Sequence, residues 1–276
     1  MRITIFAAIL FVFGMLPAPL QAHGDVEEQI EEVTAQIRLQ PANAALYFKR
    51  GELHRVSKHW IAARADYDRA ERLDPGLVLV DLARGKLFLA SGQPQPALRA
   101  VDRYFARGSE SSDARVLRAR ILVKLRRSGE AAAEFTRAIA ESSEPSPDFY
   151  IERAQALAGE GPLQFGEALQ GLEEGAQRLG PLVTLELPAI DLELRRKNYD
   201  GALARLDRLS AQSPRQEEWL ARRGEILKQA GRDAEARQAY ADALAAIELL
   251  APRLRSTTAT KDLETRLRAA LQENGR

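Results

Sequence analysis

The stretch Asn43–Leu77, NAALYFKRGELHRVSKHWIAARADYDRAERLDPGL, decides the fold. Tyr47, Gly51 and His54 fall three to four residues apart and therefore share one face of a helix. Ala63, Tyr67 and Ala70 do the same on a second helical run. Val56-Ser57-Lys58 is a short connection between the two, and Asp74-Pro75 stops the second helix. Two antiparallel helices approach closely only where side chains are short, which is the use of Gly51 and Ala63. Tyr67 then fills the wider part of the wedge. A lone helix pair cannot bury both of its faces, so it needs a copy of itself alongside.

The copies are present. The first small position recurs as Gly51, Gly85, Ala119, Ala154, Ile190 and Gly224, and the second as Ala63, Ala97, Ala131, Ala168, Ala202 and Ala236. The bulky position runs Tyr67, Val101, Phe135, Leu172, Leu206 and Tyr240. Most intervals are 34 residues, and the two small residues of a copy are 12 apart, except for 14 between Ala154 and Ala168. The pattern resembles the tetratricopeptide repeat family over roughly Asn43 to Leu250. That resemblance implies an all-α, right-handed α-solenoid of about six helix-turn-helix repeats (residues 44–250) with a capping helix at each end.

Residues 1–22 stand apart. Arg2 supplies a positive start, Ile3 to Leu16 is an apolar core, and Leu20-Gln21-Ala22 places a small residue before a cut. This is the layout of a secretory signal peptide, and the apolar run is short for a membrane span. The expectation is export to a bacterial periplasm, the alternative being an uncleaved anchor helix. The chain has no cysteine, which excludes disulfides, thiolate metal sites, lipid attachment at cysteine and thiol catalysis. Removing Arg2, the one charged residue of the leader, leaves 39 Lys and Arg against 39 Asp and Glu. A formally neutral chain is a poor nucleic-acid binder, because binding there requires a basic surface to displace counterions.

Along the chain, Asp25 to Gln40 reads as an N-terminal cap helix (residues 23–43) with Ile30, Val33 and Ile37 on one stripe. Asp25, Glu27 and Glu28 are expected in its first turn, where they suit the helix dipole. Gly92 marks an inner turn, with Pro94 or Pro96 opening the next helix. The insertion Gly159-Glu160-Gly161-Pro162 shifts the phase of the fourth copy and marks a bend or flexible joint there. Pro188 is expected to kink the first helix of the fifth, where Ile190 also replaces the small residue. In the C-terminal cap (residues 251–276) Thr260 is placed to cap a last helix carrying Leu263 and Leu267, with Glu264 and Arg268 paired on its surface.

The resemblance implies that the first helix of each repeat lines a concave groove. One ladder there is Phe48, Leu82, Val116, Ile151, Leu187 and Ala221; the next is Glu52, Lys86, Arg120, Gln155, Asp191 and Glu225; a third is Arg55, Leu89, Val123, Ala158, Leu194 and Lys228. Apolar ladders beside a polar one suit a peptide or an amphipathic helix. Lys86, Arg120 and Lys124 make the middle basic, so an acidic or carboxylate-bearing segment is expected near Lys86 and Arg120. The polar ladder has no Asn, which argues against the carboxylate clamp that some family members use.

Catalytic signatures are missing: there is no G-x-x-x-x-G-K-[ST], no G-x-G-x-x-G after a strand and no G-x-S-x-G. No cofactor is expected. His54 sits at a packing position and His59 by a turn, five apart across a helix break, unlike the i,i+4 pair of helical metal sites. The reading is a non-catalytic, periplasmic scaffold for a protein or peptide partner, with self-association through a weakly capped end left open. The alternative is a metal or small-ligand accessory protein in which His23, at the processed N-terminus, would chelate copper.

Overall fold

The computed structural model describes residues 21–180 and 182–273. The export reading falls on residues 1–20, outside those described. The described residues fold into α-helices and one short 3-10 turn, gathered into two compact units that divide between Ser109 and Glu110.

The first unit holds α1 (Gln21–Leu39), α2 (Ala44–Val56), α3 (Trp60–Leu73), α4 (Leu79–Ala90) and α5 (Pro94–Ala106). Helix α1 packs on α2 through the expected stripe, with Ile30, Val33 and Ile37 buried. Asp25, Glu27 and Glu28 all lie within α1. Asn43 caps α2 by accepting from the Ala45 backbone N–H at 3.1 Å, and Pro94 opens α5. The pairs α2/α3 and α4/α5 are the first two repeats.

The second unit holds α6 (Ser112–Lys124), α7 (Ser128–Glu141), α8 (Pro147–Glu160), α9 (Phe165–Leu179), α10 (Val183–Arg195), α11 (Tyr199–Ser210), α12 (Glu217–Gln229), α13 (Asp233–Glu248), α14 (Pro252–Arg255) and α15 (Thr258–Glu273). These give four more pairs, and α15 packs against α13. The insertion in the fourth repeat is not where the compact units divide. It is absorbed as a 3-10 turn, Pro162–Gln164, entered through Gly161 at φ +124° and packed on both α8 and α9. Helix α10 runs unbroken through Pro188. The final cap also differs from expectation. Thr257, not Thr260, caps α15 by accepting from the Thr260 N–H at 3.3 Å, while Thr260 is buried and its hydroxyl donates to the Leu254 carbonyl at 3.0 Å.

The repeat core works by complementary volume. All six bulky residues, from Tyr67 to Tyr240, are buried. A Cβ added at Gly51 would stand 2.6 Å from the Tyr67 ring, and one at Gly224 would overlap the Tyr240 ring. Where the small residue becomes Ile190, the residue across the pair is Leu206, and both are 1% exposed. The fifth repeat thus departs from the pattern by placing two branched aliphatic side chains at the pair, and both are fully packed, as a close-packed core requires.

A turn position repeats too. Between the helices of a pair the backbone enters the left-handed region at Lys58, Gly92, Arg126, Lys197 and Gly231, with φ between 57° and 75°. Glycine adopts this freely, whereas Lys58, Arg126 and Lys197 do so against the Cβ clash.

Candidate functional site

First helices neighbour one another within each unit (α2 beside α4, α8 beside α10), and this is the face onto which the predicted ladders fall. In the first unit, the apolar members are largely absorbed into the core: Leu82 is buried, Leu89 is half-buried, and half-buried Phe48 packs its ring against Tyr67 at 6.1 Å between centroids. The polar members are tied together. Arg55 donates to both carboxylate oxygens of Glu52 at 3.0 Å, and the Tyr67 hydroxyl donates to the same carboxylate. Burial would push Glu52 up, but the bonds from Arg55 and Tyr67 hold it below the usual carboxylate range. Burial and the Glu52 bond raise the Tyr67 phenol. Lys86 is exposed and makes no ion pair with a described residue.

A glutamate stands at this ladder position only in the repeats whose bulky residue is tyrosine: Glu52 with Tyr67 and Glu225 with Tyr240. The Tyr240 phenol is raised by burial and then by Glu225. That pairing is visible in the sequence once the two positions are aligned; Glu52 accepts from its phenol, whereas Glu225 acts on Tyr240 through its charge and pairs with Arg222 at 3.4 Å.

In the second unit Val116 is buried, Ile151 half-buried, and Arg120, Lys124 and Gln155 exposed. Successive first helices are bridged by one recurring pair, from the residue after the small position to the residue two before it on the next first helix. From α6 to α8 the pair is Arg120–Glu152, a two-pronged contact at 2.6 and 2.9 Å that raises the Arg120 pKa. From α10 to α12 it is Asp191–Arg222 at 3.2 Å, with the charges exchanged. From α8 to α10 the same positions hold Gln155 and Pro188, which cannot pair. An open cleft of about 390 Å³ lies there instead. Ala154, Ala158, Gly159, Pro188 and Leu192 give it apolar walls, and Gln155, Asp191 and Arg195 supply polar groups. Arg195 is steadied by stacking over Phe165, 4.2 Å from the ring centroid. Beside the cleft, Val183 and Leu187 leave exposed apolar surface on α10. A second opening, about 660 Å³, separates α12 from α15 and includes Ala221, Glu225 and Arg222.

The arrangement brings Gln155 onto a cleft wall, engages Arg120 with Glu152, and ties Glu52 and Arg55 to each other. A further ladder escaped the sequence reading. The residue just before the small position is arginine in five repeats: Arg50, Arg84, Arg118, Arg153 and Arg223. Each clamps a carboxylate of a second helix: Arg50 on Asp66 (2.7 Å), Arg84 on Asp68 and Glu71 (2.6 and 2.7 Å), Arg118 on Glu134 (3.0 Å), Arg153 on Glu174 (2.7 Å) and Arg223 on Asp207. Asp66 and Glu134 are buried, so these arginines are needed where they stand. The signal was the 34-residue recurrence of arginine, available without coordinates.

His54 is half-buried, with Nε2 3.9 Å from Asp66; burial lowers its pKa. His59 lies at the start of α3, its ring 5.8 Å from that of His54. Among the described residues no group of three or more His, Cys, Asp or Glu is placed to hold a metal ion, and no helix is long and apolar enough to cross a membrane.

Comparison with known proteins agrees with this architecture. A tetratricopeptide repeat model matches residues 82–147 and a tetratricopeptide repeat-like domain model matches residues 166–262, together more than half of the chain. No curated protein matches at a significant level. Among solved structures, the chain is similar to YrrB, described as a TPR protein with an unusual peptide-binding site: 20% identity, 76% of this chain and 98% of that one, TM-score 0.55. It is similar to a tetratricopeptide repeat protein from Parabacteroides merdae at 17% identity, over 92% and 94% of the two chains, TM-score 0.55. It is also similar to PilW, described as a widely conserved type IV pilus biogenesis factor: 15% identity, 80% and 97% coverage, TM-score 0.52.

Proposed function

Because the chain belongs to the tetratricopeptide repeat family, we infer that it is a non-catalytic scaffold that binds a segment of a partner protein on the first-helix face. The observation that carries this reading is the missing rung between α8 and α10. Its neighbours are closed by Arg120–Glu152 and Asp191–Arg222, while Gln155 and Pro188 leave an apolar-walled cleft with polar groups at hand. Such a cleft suits one apolar side chain of a peptide, with Gln155 free to bond the peptide backbone. Val116, Arg120, Lys124 and Ile151 form the proposed continuation of this face in the second unit, and Phe48, Glu52, Arg55, Leu82, Lys86 and Leu89 form the corresponding proposed face of the first unit, taken by itself. Exposed, unpaired Lys86 and Lys124 carry its preference for an acidic segment. The signal-peptide layout of residues 1–22 supports the bacterial periplasm as the location of this proposed scaffold.

A photo-crosslinking amino acid at Gln155, in the chain expressed in its own host, tests the binding face. One protein adduct from Gln155, absent when the cleft is closed by a Pro188→Trp change and absent from a probe at Glu167 on α9, is the expected result. Equal adducts from both probe positions would remove the assignment. N-terminal sequencing of the chain recovered from a periplasmic extract should begin at His23; recovery with Met1 in the membrane fraction would favour the anchored form.

A further inference from the structure

A second cleft, of about 350 Å³, lies in the first unit where α3 and α5 flank α4, and Arg64, Asp68, Arg84, Phe88, Arg99 and Arg103 are among its walls. It is not on the first-helix groove. Arg84 and Phe88 flank Lys86 at two residues' distance along α4, a rotation of about 200° each, so they face away from it. Two of its arginines are already engaged. Arg84 is held by Asp68 and Glu71 at 2.6 and 2.7 Å, and Arg103 by buried Asp81 at 2.9 Å. Arg64 and Arg99 differ: both are exposed and neither makes an ion pair or hydrogen bond with a described residue. The cleft thus has its own anions satisfied and two guanidinium groups left over, beside the half-buried ring of Phe88.

From this arrangement we propose that the α3–α5 cleft is a binding site for an acidic peptide segment, whose carboxylates pair with Arg64 and Arg99 while its aliphatic stems lie on Phe88. A guanidinium fork matches a carboxylate in two-pronged geometry. The site uses residues of the first unit alone and stands whether or not the α8–α10 cleft binds a peptide.

The test titrates the full chain with a hexaglutamate peptide, followed by heteronuclear NMR and calorimetry, alongside inorganic phosphate as a second probe. Saturable binding is expected, with shifts centred on Arg64, Phe88 and Arg99. The double variant Arg64→Glu, Arg99→Glu should weaken it at least about tenfold, because two charge-assisted contacts are lost and reversed. Both side chains are exposed and unpaired, so the variant should keep its circular dichroism melt. A control of equal charge change on α1 and α2, Arg38→Glu with Lys49→Glu, should weaken binding less than about threefold, since exposed distant charges are screened. No saturable binding would overturn the proposal, as would equal weakening by the control pair or by Lys86→Glu. Displacement of the peptide by an equal concentration of phosphate would also overturn it, by showing a simple anion site.

Discussion

Within the second unit, the step from α6 to α8 and the step from α8 to α10 are built from the same repeat and end differently. The first is closed by Arg120 and Glu152; the second presents Gln155 to Pro188 and stays open. The floor beneath the two steps is equally solid, with Ala119 and Phe135 of the third repeat and Ile190 and Leu206 of the fifth all buried. A solenoid therefore separates two tasks by position. Residues between the helices of a pair keep the array together, and residues between successive first helices are free to vary and to bind. The first unit shows the opposite use of the polar ladder, because its tyrosine reaches up and takes Glu52 into the core network.

The separation can be broken in several ways. The largest effect should come from Ile190→Ala, which removes most of a buried side chain opposite Leu206 and should cost about 2–5 kcal/mol in urea unfolding. A cost below about 0.5 kcal/mol, typical of surface changes, would show that Ile190 is not part of the packed core of the fifth repeat. Next is Pro188→Ala. Restoring an N–H inside α10 should stabilise by up to about 3 kcal/mol while leaving the cleft open, so stability rises and Gln155 crosslinking persists. Loss of the crosslink would tie binding to the proline itself.

Tyr67→Phe removes a phenol that donates to a carboxylate and should cost about 1–2 kcal/mol. It should also change the acid response. Glu52 is held below its ordinary value when folded, so its contribution is complete above the unfolded pKa near 4.3 and is lost as pH falls through the lower folded value. Thermal melts across that window should show a shallower acid decline in Tyr67→Phe, and an unchanged slope would remove Tyr67 from the network. The smallest effect belongs to the closed rung. Arg120→Ala should cost no more than about 1 kcal/mol, because Arg120 is half exposed and its ion pair lies at the surface. A larger cost would mean that the first-helix face also holds the array together.

Legibility followed the same division. The 34-residue recurrence of small and bulky positions located every helix pair, since packing between paired helices is a local constraint that each copy must satisfy. The helix ends were less legible. Thr257 caps α15 rather than Thr260, because caps depend on where the chain can turn and not on periodicity. Gln155 was legible as a ladder member, but its standing beside an open cleft was not. That depends on Pro188, 33 residues later in the chain, and on the absence of the bridge its neighbours make. The arginine ladder recurred in plain sight and was missed because the direction to its carboxylate partner is not constant: Arg50 reaches sixteen residues forward to Asp66, and Arg84 sixteen back to Asp68.

The sequence by itself determined that this is an array of helix pairs, which residues face inward in each pair, and that it carries no cysteine chemistry. Periodicity conveys all of this, because each repeat meets the same neighbours. Only the tertiary structure decided which charges are consumed by one another and which remain available. Charge pairing is settled by the approach of side chains from different helices, so Lys86 and Arg120, alike on one ladder, end as an unpaired cation and a bridged one.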